Sequence, residues 1–135
     1  WGIFQDHEAE KRAAYDISSK MNLKYYSLYQ NVRKLSGGNQ QKIVIAKWML
    51  RDTEVFLLDE PTRGIDVGAK SEIYKLMNQL VEEGKSIIMI SSELPEIMSM
   101  SDRIYVICEG RMTGEVQKAD FTQELLVKYA IGETD

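Results

Sequence analysis

The chain has 135 residues, 44% hydrophobic and 28% charged, a balance that supports one globular domain of ordinary length and excludes a disordered tail. A formal net charge of −4, with no stretch that gathers Lys and Arg, supplies no basic field for a nucleic-acid backbone. Its single cysteine, Cys108, excludes a disulfide framework and makes a reducing compartment the default; the longest apolar run, residues 43–50, carries Lys47 and falls far short of the roughly 20 residues that span a bilayer. The chain opens at Trp1 with no leader pattern behind it, and is expected to be a piece of a longer polypeptide.

Residues 6 to about 22 read as a helix, with Ala9, Ala13, Ile17 and Met21 on one stripe that needs a partner surface. The only histidine, His7, falls there and is expected to be an exposed polar residue. "LKYYSLYQNVRK" follows, a short helix or loop in which Tyr25, Tyr26 and Tyr29 alternate with polar residues. These rings suit either local packing or an interface. From Ser36 the predicted order is helix, strand, turn, helix, strand, helix, strand, strand, helix. "EVFLLD" and "SIIMIS" are short continuous apolar runs, the pattern of parallel strands covered on both faces. Between them residues 68–83 place Ile73, Leu76, Met77, Leu80 and Val81 on one helical face and stop at Gly84, which completes a βαβ unit. "RIYVICEGRMTGEV" predicts a hairpin turning at Glu109 and Gly110, and "DFTQELLVKYAIG" a last helix capped by Asp120 and ending near Gly132. Trp48 and Cys108 are expected in the core, and Met77, Met98 and Met100 as packing residues. There is no internal repeat and no low-complexity linker.

Two stretches carry chemistry. In "KLSGGNQQK" a serine and two adjacent glycines open an apolar helix, although glycine is a poor helix former. Ser36 is a good N-cap, and Gly37 and Gly38 leave the first backbone N–H groups unshielded at the positive end of the helix dipole, where an anion is attracted. The plainer reading is that the glycines merely allow close packing. In "VFLLDEPT", Asp59 and Glu60 emerge at the carboxyl end of a buried strand, where ligands gather in open parallel sheets, and Pro61 stops the strand. One carboxylate there can hold Mg²⁺ and the next can polarise a water; the alternative is that both simply solvate a strand end. The phosphate loop such an aspartate requires, G-x-x-x-x-G-K-S/T, does not occur. "GIDVGAKS" imitates it, but Gly68 comes one residue early, Ala69 replaces the second glycine, and Asp66 would put a carboxylate inside an anion nest.

Together these stretches resemble a known family. "LSGGNQQK" is similar to the signature motif of ATP-binding cassette (ABC) ATPases, and "VFLLDEPTRGID" to their Walker B strand and D-loop. With "DEPTRGIDVGAK" and "ISSELPE", the chain over nearly its whole length most resembles the C-terminal cassette of the double ATPase subunit in bacterial monosaccharide importers. The resemblance implies an α/β fold, the C-terminal part of a P-loop NTPase parallel-sheet core plus part of a helical subdomain, with residues 1–33 in that subdomain and 34–135 in the signature helix and core. It also implies that the phosphate loop lies before Trp1. ATP and Mg²⁺ are the implied cofactors. Ser36, Gly37 and Gly38, with Gln40 nearby, would close on the γ-phosphate of an ATP held by the opposing cassette. Asp59 would position Mg²⁺ through water, Glu60 would be the general base, and Asp66 would lie in the D-loop. Ser92 stands where many relatives carry a switch histidine, and a neutral hydroxyl cannot become a cationic donor. The implied partners are an opposing cassette, transmembrane permease subunits and, through them, a sugar-binding protein, at the cytoplasmic face of the membrane and without nucleic acid. Two other readings stay open: an ABC-type ATPase outside transport, and a structural or regulatory piece with no chemistry of its own.

Overall fold

The computed structural model describes residues 6–133, which fall into two compact units, one ending at Ile88 and the other starting at Met89. The predicted element order from Ser36 onward is the observed one.

In the first unit, α1 (His7–Lys20) starts at Asp6, whose carboxylate accepts from the N–H groups of Glu8 and Ala9 at 3.1 and 3.0 Å. Glu8 and Glu10 in its first turn and Lys20 in its last complement the helix dipole. His7 is exposed as expected, 3.4 Å from Glu10. The inward stripe runs through Ala14, Ile17, Ser18 and Met21, whereas Ala9 and Ala13 face solvent. The expected stripe thus drifts by about one position, because a 3.6-residue period cannot keep four-residue steps on one face. Asn22 takes a left-handed conformation (φ 48) and turns the chain. The tyrosine stretch is a loop ending in a 3₁₀ turn, Val32–Lys34, with Tyr26 and Tyr29 exposed and Tyr25 half-buried.

Helix α2 (Gly37–Met49) packs against α1 and against α3 (Val67–Glu82), burying Gly38, Lys42, Ile45 and Ala46. Trp48 is 56% exposed, contrary to expectation, because it lies to one side of that stripe on α2. On α3 the predicted Ile73, Leu76, Met77 and Leu80 are buried; Val81 is exposed, one step past the stripe's edge. Strands β1 (Val55–Asp59) and β2 (Ser86–Ile90) are neighbours joined through α3, and Ser86 N–H donates to Glu54 O at 2.9 Å where the pairing begins. The strands are not covered on both faces. Phe56 and Leu58 are buried while Leu57 is 72% exposed, so β1 alternates as a strand covered on one face does. Lys85 fastens the strand entries, 2.9 Å from Asp52 and 3.2 Å from Glu54.

The second unit holds α4 (Leu94–Met100), β3 (Arg103–Cys108), β4 (Arg111–Gln117) and α5 (Gln123–Ala130). β3 and β4 form the predicted antiparallel hairpin, with Glu109 and Gly110 both at positive φ (47 and 74), as a two-residue turn matching strand twist requires. Ile104, Val116 and Leu126 make its buried centre. Cys108 is half-buried rather than in that centre, and Met98 and Met100 are partly buried. α5 is capped by Thr122, whose hydroxyl accepts from Leu125 N–H at 3.2 Å, and not by Asp120. Asp120 sits in a preceding 3₁₀ turn, Lys118–Asp120, which moves the helix cap two residues on.

Candidate functional site

Ser36 is in extended conformation (φ −61, ψ 155) and caps α2. Its hydroxyl faces back onto the helix, accepting from Asn39 Nδ2 at 2.9 Å and from Asn39 N–H at 3.5 Å. Asn39 Oδ1 in turn accepts from the N–H of Lys24 at 3.1 Å, so the loop following α1 is tied to the cap. Gln40 also folds back: its Nε2 donates to Leu35 O at 2.8 Å, holding the approach to the motif rather than reaching outward. Ser36 and Gly37 remain exposed while Gly38 is buried. The outcome is an open helix N-terminus whose first turn is braced on its inner side.

The brace is the start of α3. A Cβ at Gly38 would lie 2.5 Å from the Ala69 Cβ, closer than two such atoms approach, and one at Gly37 would lie 3.3 Å from Ile65 Cγ2. Gly38 is therefore needed for the close packing of α2 on α3. Asp66 caps α3, its carboxylate accepting from Ala69 N–H at 2.9 Å. The N-termini of α2 and α3 thus sit side by side.

Asp59 ends β1 and is exposed. Glu60 follows in a left-handed conformation (φ 46), uncommon for a side-chain-bearing residue, and Pro61 and Thr62 behind it are buried. The turn is closed by Arg63 N–H donating to Glu60 O at 3.2 Å and by Gly64 at φ 74. Asp59, Glu60 and Asp66 therefore belong to one short connection from β1 to α3. Lys70 and Ser71 lie in the first turns of α3, so "GIDVGAKS" is a turn and an ordinary helix start. Among the described residues there is no group of three or more His, Cys, Asp or Glu placed to hold a metal ion. One strand-end carboxylate nevertheless fits Mg²⁺, which takes most of its ligands from water and phosphate. Ser92, in the second unit, is exposed on the bend between β2 and α4; beside it Ser91 Oγ donates to the buried Glu96 carboxylate and accepts from Glu93 N–H at 3.0 Å.

The sequence model described as "ABC transporter" matches residues 3–63, the span of α1, the serine-glycine motif and the Asp59–Glu60 strand end. The xylose import ATP-binding protein of Geobacillus kaustophilus is 53% identical over 98% of this chain, and the ribose import ATP-binding protein of Clostridium perfringens is 52% identical over 91%. Over nearly its whole length the chain is similar to ABC transporter ATP-binding proteins. It spans about a quarter of the length of these curated relatives, 26% of the first and 25% of the second. A nucleotide-free cassette of an ABC transporter superposes on 95% of this chain with a TM-score of 0.79 at 22% identity, and a dimeric cassette bound to ADP and Pi on 90% with 0.74 at 22%. The chain covers 52% of each. At that identity the likeness speaks for the fold, which is the α/β fold of ABC ATPase cassettes.

Three residues here escape motif reading. Asn39 joins the Ser36 cap to the Lys24 backbone, while Lys42 on α2 and Glu72 on α3 form an ion pair at 2.7 Å. Their single signal in the sequence is that Lys42 lies on the stripe shared by Gly38, Ile45 and Ala46, where a lysine is out of place. Lys42 holds the Glu72 carboxyl below its ordinary range, first through the hydrogen bond and then through its charge.

Proposed function

We propose that the chain is the C-terminal part of an ABC ATPase subunit that powers monosaccharide import, and that it supplies partial walls to two nucleotide sites. The observation that carries this reading is the open, glycine-built start of α2 at residues 36–38, braced on the D-loop segment, in a chain more than half identical to sugar import ATP-binding proteins. The exposed N–H groups at Ser36 and Gly37, at the positive end of α2, take the γ-phosphate of an ATP held by the opposing cassette, with Gly38 letting the helix end approach it and Gln40 holding the preceding strand of chain. Asp59 and Glu60 serve a different ATP, the one on this cassette's own phosphate loop. When bound, Mg²⁺ neutralises charge developing on the β- and γ-phosphates. Asp59 fixes it through water, and Glu60 accepts a proton from the attacking water. Asp66, engaged as a helix cap, ties the D-loop to α3 and carries the interface between cassettes.

Ser92 offers a hydroxyl where a switch histidine offers an imidazolium, so hydrolysis at this cassette's own site is weak or regulatory while the signature supports full turnover at the other. Residues 1–33 belong to the helical subdomain, residues 34–135 to the signature helix and core. Tyr26 and Tyr29, exposed on the loop, face permease subunits, and a sugar-binding protein acts through those subunits. No described helix is long and apolar enough to cross a membrane, which suits a peripheral place at its cytoplasmic face.

The test is ATP turnover by the intact transporter. Ser36→Arg, which fills the helix end, is expected to lower turnover by about a hundredfold, the scale for losing a preorganised anion site, and Glu60→Gln to remove a smaller share. If Glu60→Gln abolishes turnover and Ser36→Arg leaves it unaltered, the assignment is wrong.

A further inference from the structure

The inner face of α2 carries a cation where an apolar side chain belongs. The Lys42 side chain is only 4% exposed, and its Nζ makes two contacts: Glu72 Oε2 at 2.7 Å and the backbone carbonyl of Asn22 at 3.3 Å. Lys42 stands one turn after Gly38, and Glu72 one turn after Ala69, the residue on which Gly38 packs. The pair therefore lies directly behind the glycine contact, and the two contacts together define how α2 is rotated and how far it has slid along α3. The ammonium's other contact reaches the left-handed Asn22 just after α1, so one ammonium joins three segments behind the serine-glycine turn.

Stability alone gives such a pair no purpose. Removing an ammonium from water is costly, and replacing a buried ion pair with well-packed apolar groups is often neutral or stabilising. A directional contact, by contrast, selects one register of two helices where apolar packing tolerates several. We infer that Lys42 and Glu72 are positioning residues for the signature turn, setting the reach of Ser36 and Gly37 relative to the D-loop helix so that the opposing cassette's γ-phosphate is met at productive distance. This rests on the signature-site reading above and names how that site is aimed. Neither side chain touches nucleotide. Their loss therefore misplaces the turn in the closed state and slows turnover, while ATP affinity, set mainly by the opposing phosphate loop, stays nearly constant.

The experiment measures kcat, the KM for MgATP and the thermal midpoint on the intact transporter for Lys42→Met, Glu72→Gln and Ser36→Arg. Lys42→Met is isosteric enough to fill its site and leaves Glu72, 43% exposed, to be solvated. It is expected to keep the thermal midpoint and KM while kcat falls about tenfold to a hundredfold, the range that an ångström of misplacement produces. Glu72→Gln, which keeps the helix packing, should show the same division between kcat and KM, and it decides the matter should Lys42→Met fail to fold. Unchanged kcat in the folded variants, or a kcat loss that merely follows the folded fraction, overturns the inference while a strong Ser36→Arg effect leaves the signature reading standing. A Ser36→Arg variant with parental turnover overturns both.

Discussion

Gly37 and Gly38 look interchangeable in the sequence, and their neighbours make them different. Gly38 is buried with Ala69 too close to admit a Cβ; Gly37 is exposed with only the tip of Ile65 nearby. Gly38→Ala should therefore destabilise the protein by about 1–3 kcal/mol through overpacking. Gly37→Ala should be neutral or better, because alanine is favoured over glycine within a helix by about 1 kcal/mol. Urea unfolding of both variants measures this, and equal losses would contradict the contrast. The same logic separates Trp48 from Ile45 on α2. Ile45 is fully buried, and Ile45→Ala should cost about 2–5 kcal/mol in the same assay, whereas Trp48→Ala, on the exposed side, should cost far less.

The ties between helices respond to pH in a direction that can be worked out. Lys42 depresses the Glu72 carboxyl by its hydrogen bond and charge, Lys24 adds to this, and desolvation and Asp66 oppose it. A depressed folded value means that the stabilisation is fully present above the ordinary 4.5 and is lost as pH falls through the lower folded value. The stability gap between the parent and Glu72→Gln should thus be constant at neutral pH and close on acidification below that point, with a small amplitude because the carboxylate is partly solvated. Denaturant titrations across pH 7 to about 3 would show it; a gap that widens in acid would mean that the pair does not favour the ionised carboxylate. In the second unit, Thr122→Ala should cost about 1 kcal/mol because the Thr122 hydroxyl caps α5, and Asp120→Ala should cost less. The misplacement of that cap in sequence reading has a simple cause: Asp120 and Thr122 are both good caps, and only the 3₁₀ turn ahead of α5 selects between them.

On the function proposed above, the described residues supply halves of two different nucleotide sites rather than one enclosed site. Titrated alone with MgATP in a calorimeter, the chain should bind very weakly and show no turnover, since a lone helix end and a strand-end carboxylate lack the loop of N–H groups that wraps phosphates. Micromolar affinity would reveal a complete site in these residues. Exposed apolar side chains at Leu57, Ile88 and Ile90 belong to the same scale. A continuous apolar run reads as a strand covered twice, yet the run reports only what the chain can bury, and the cover on each face comes from elsewhere.

Local rules were enough for the element order, the Glu109–Gly110 turn, the Ser36 cap and the strand-end Asp59 and Glu60, because capping, periodicity and turn geometry act over a few residues. The motifs were equally legible, each being a contiguous string. Tertiary structure alone decided that Gly38 rests on Ala69, that Lys42 is buried against Glu72 and Asn22, that Trp48 and Leu57 face solvent, and that Asn39 binds the Lys24 backbone. Burial and pairing are properties of two surfaces brought together, and partners up to 31 residues apart, as Gly38 and Ala69 are, share no local pattern from which the meeting could be read.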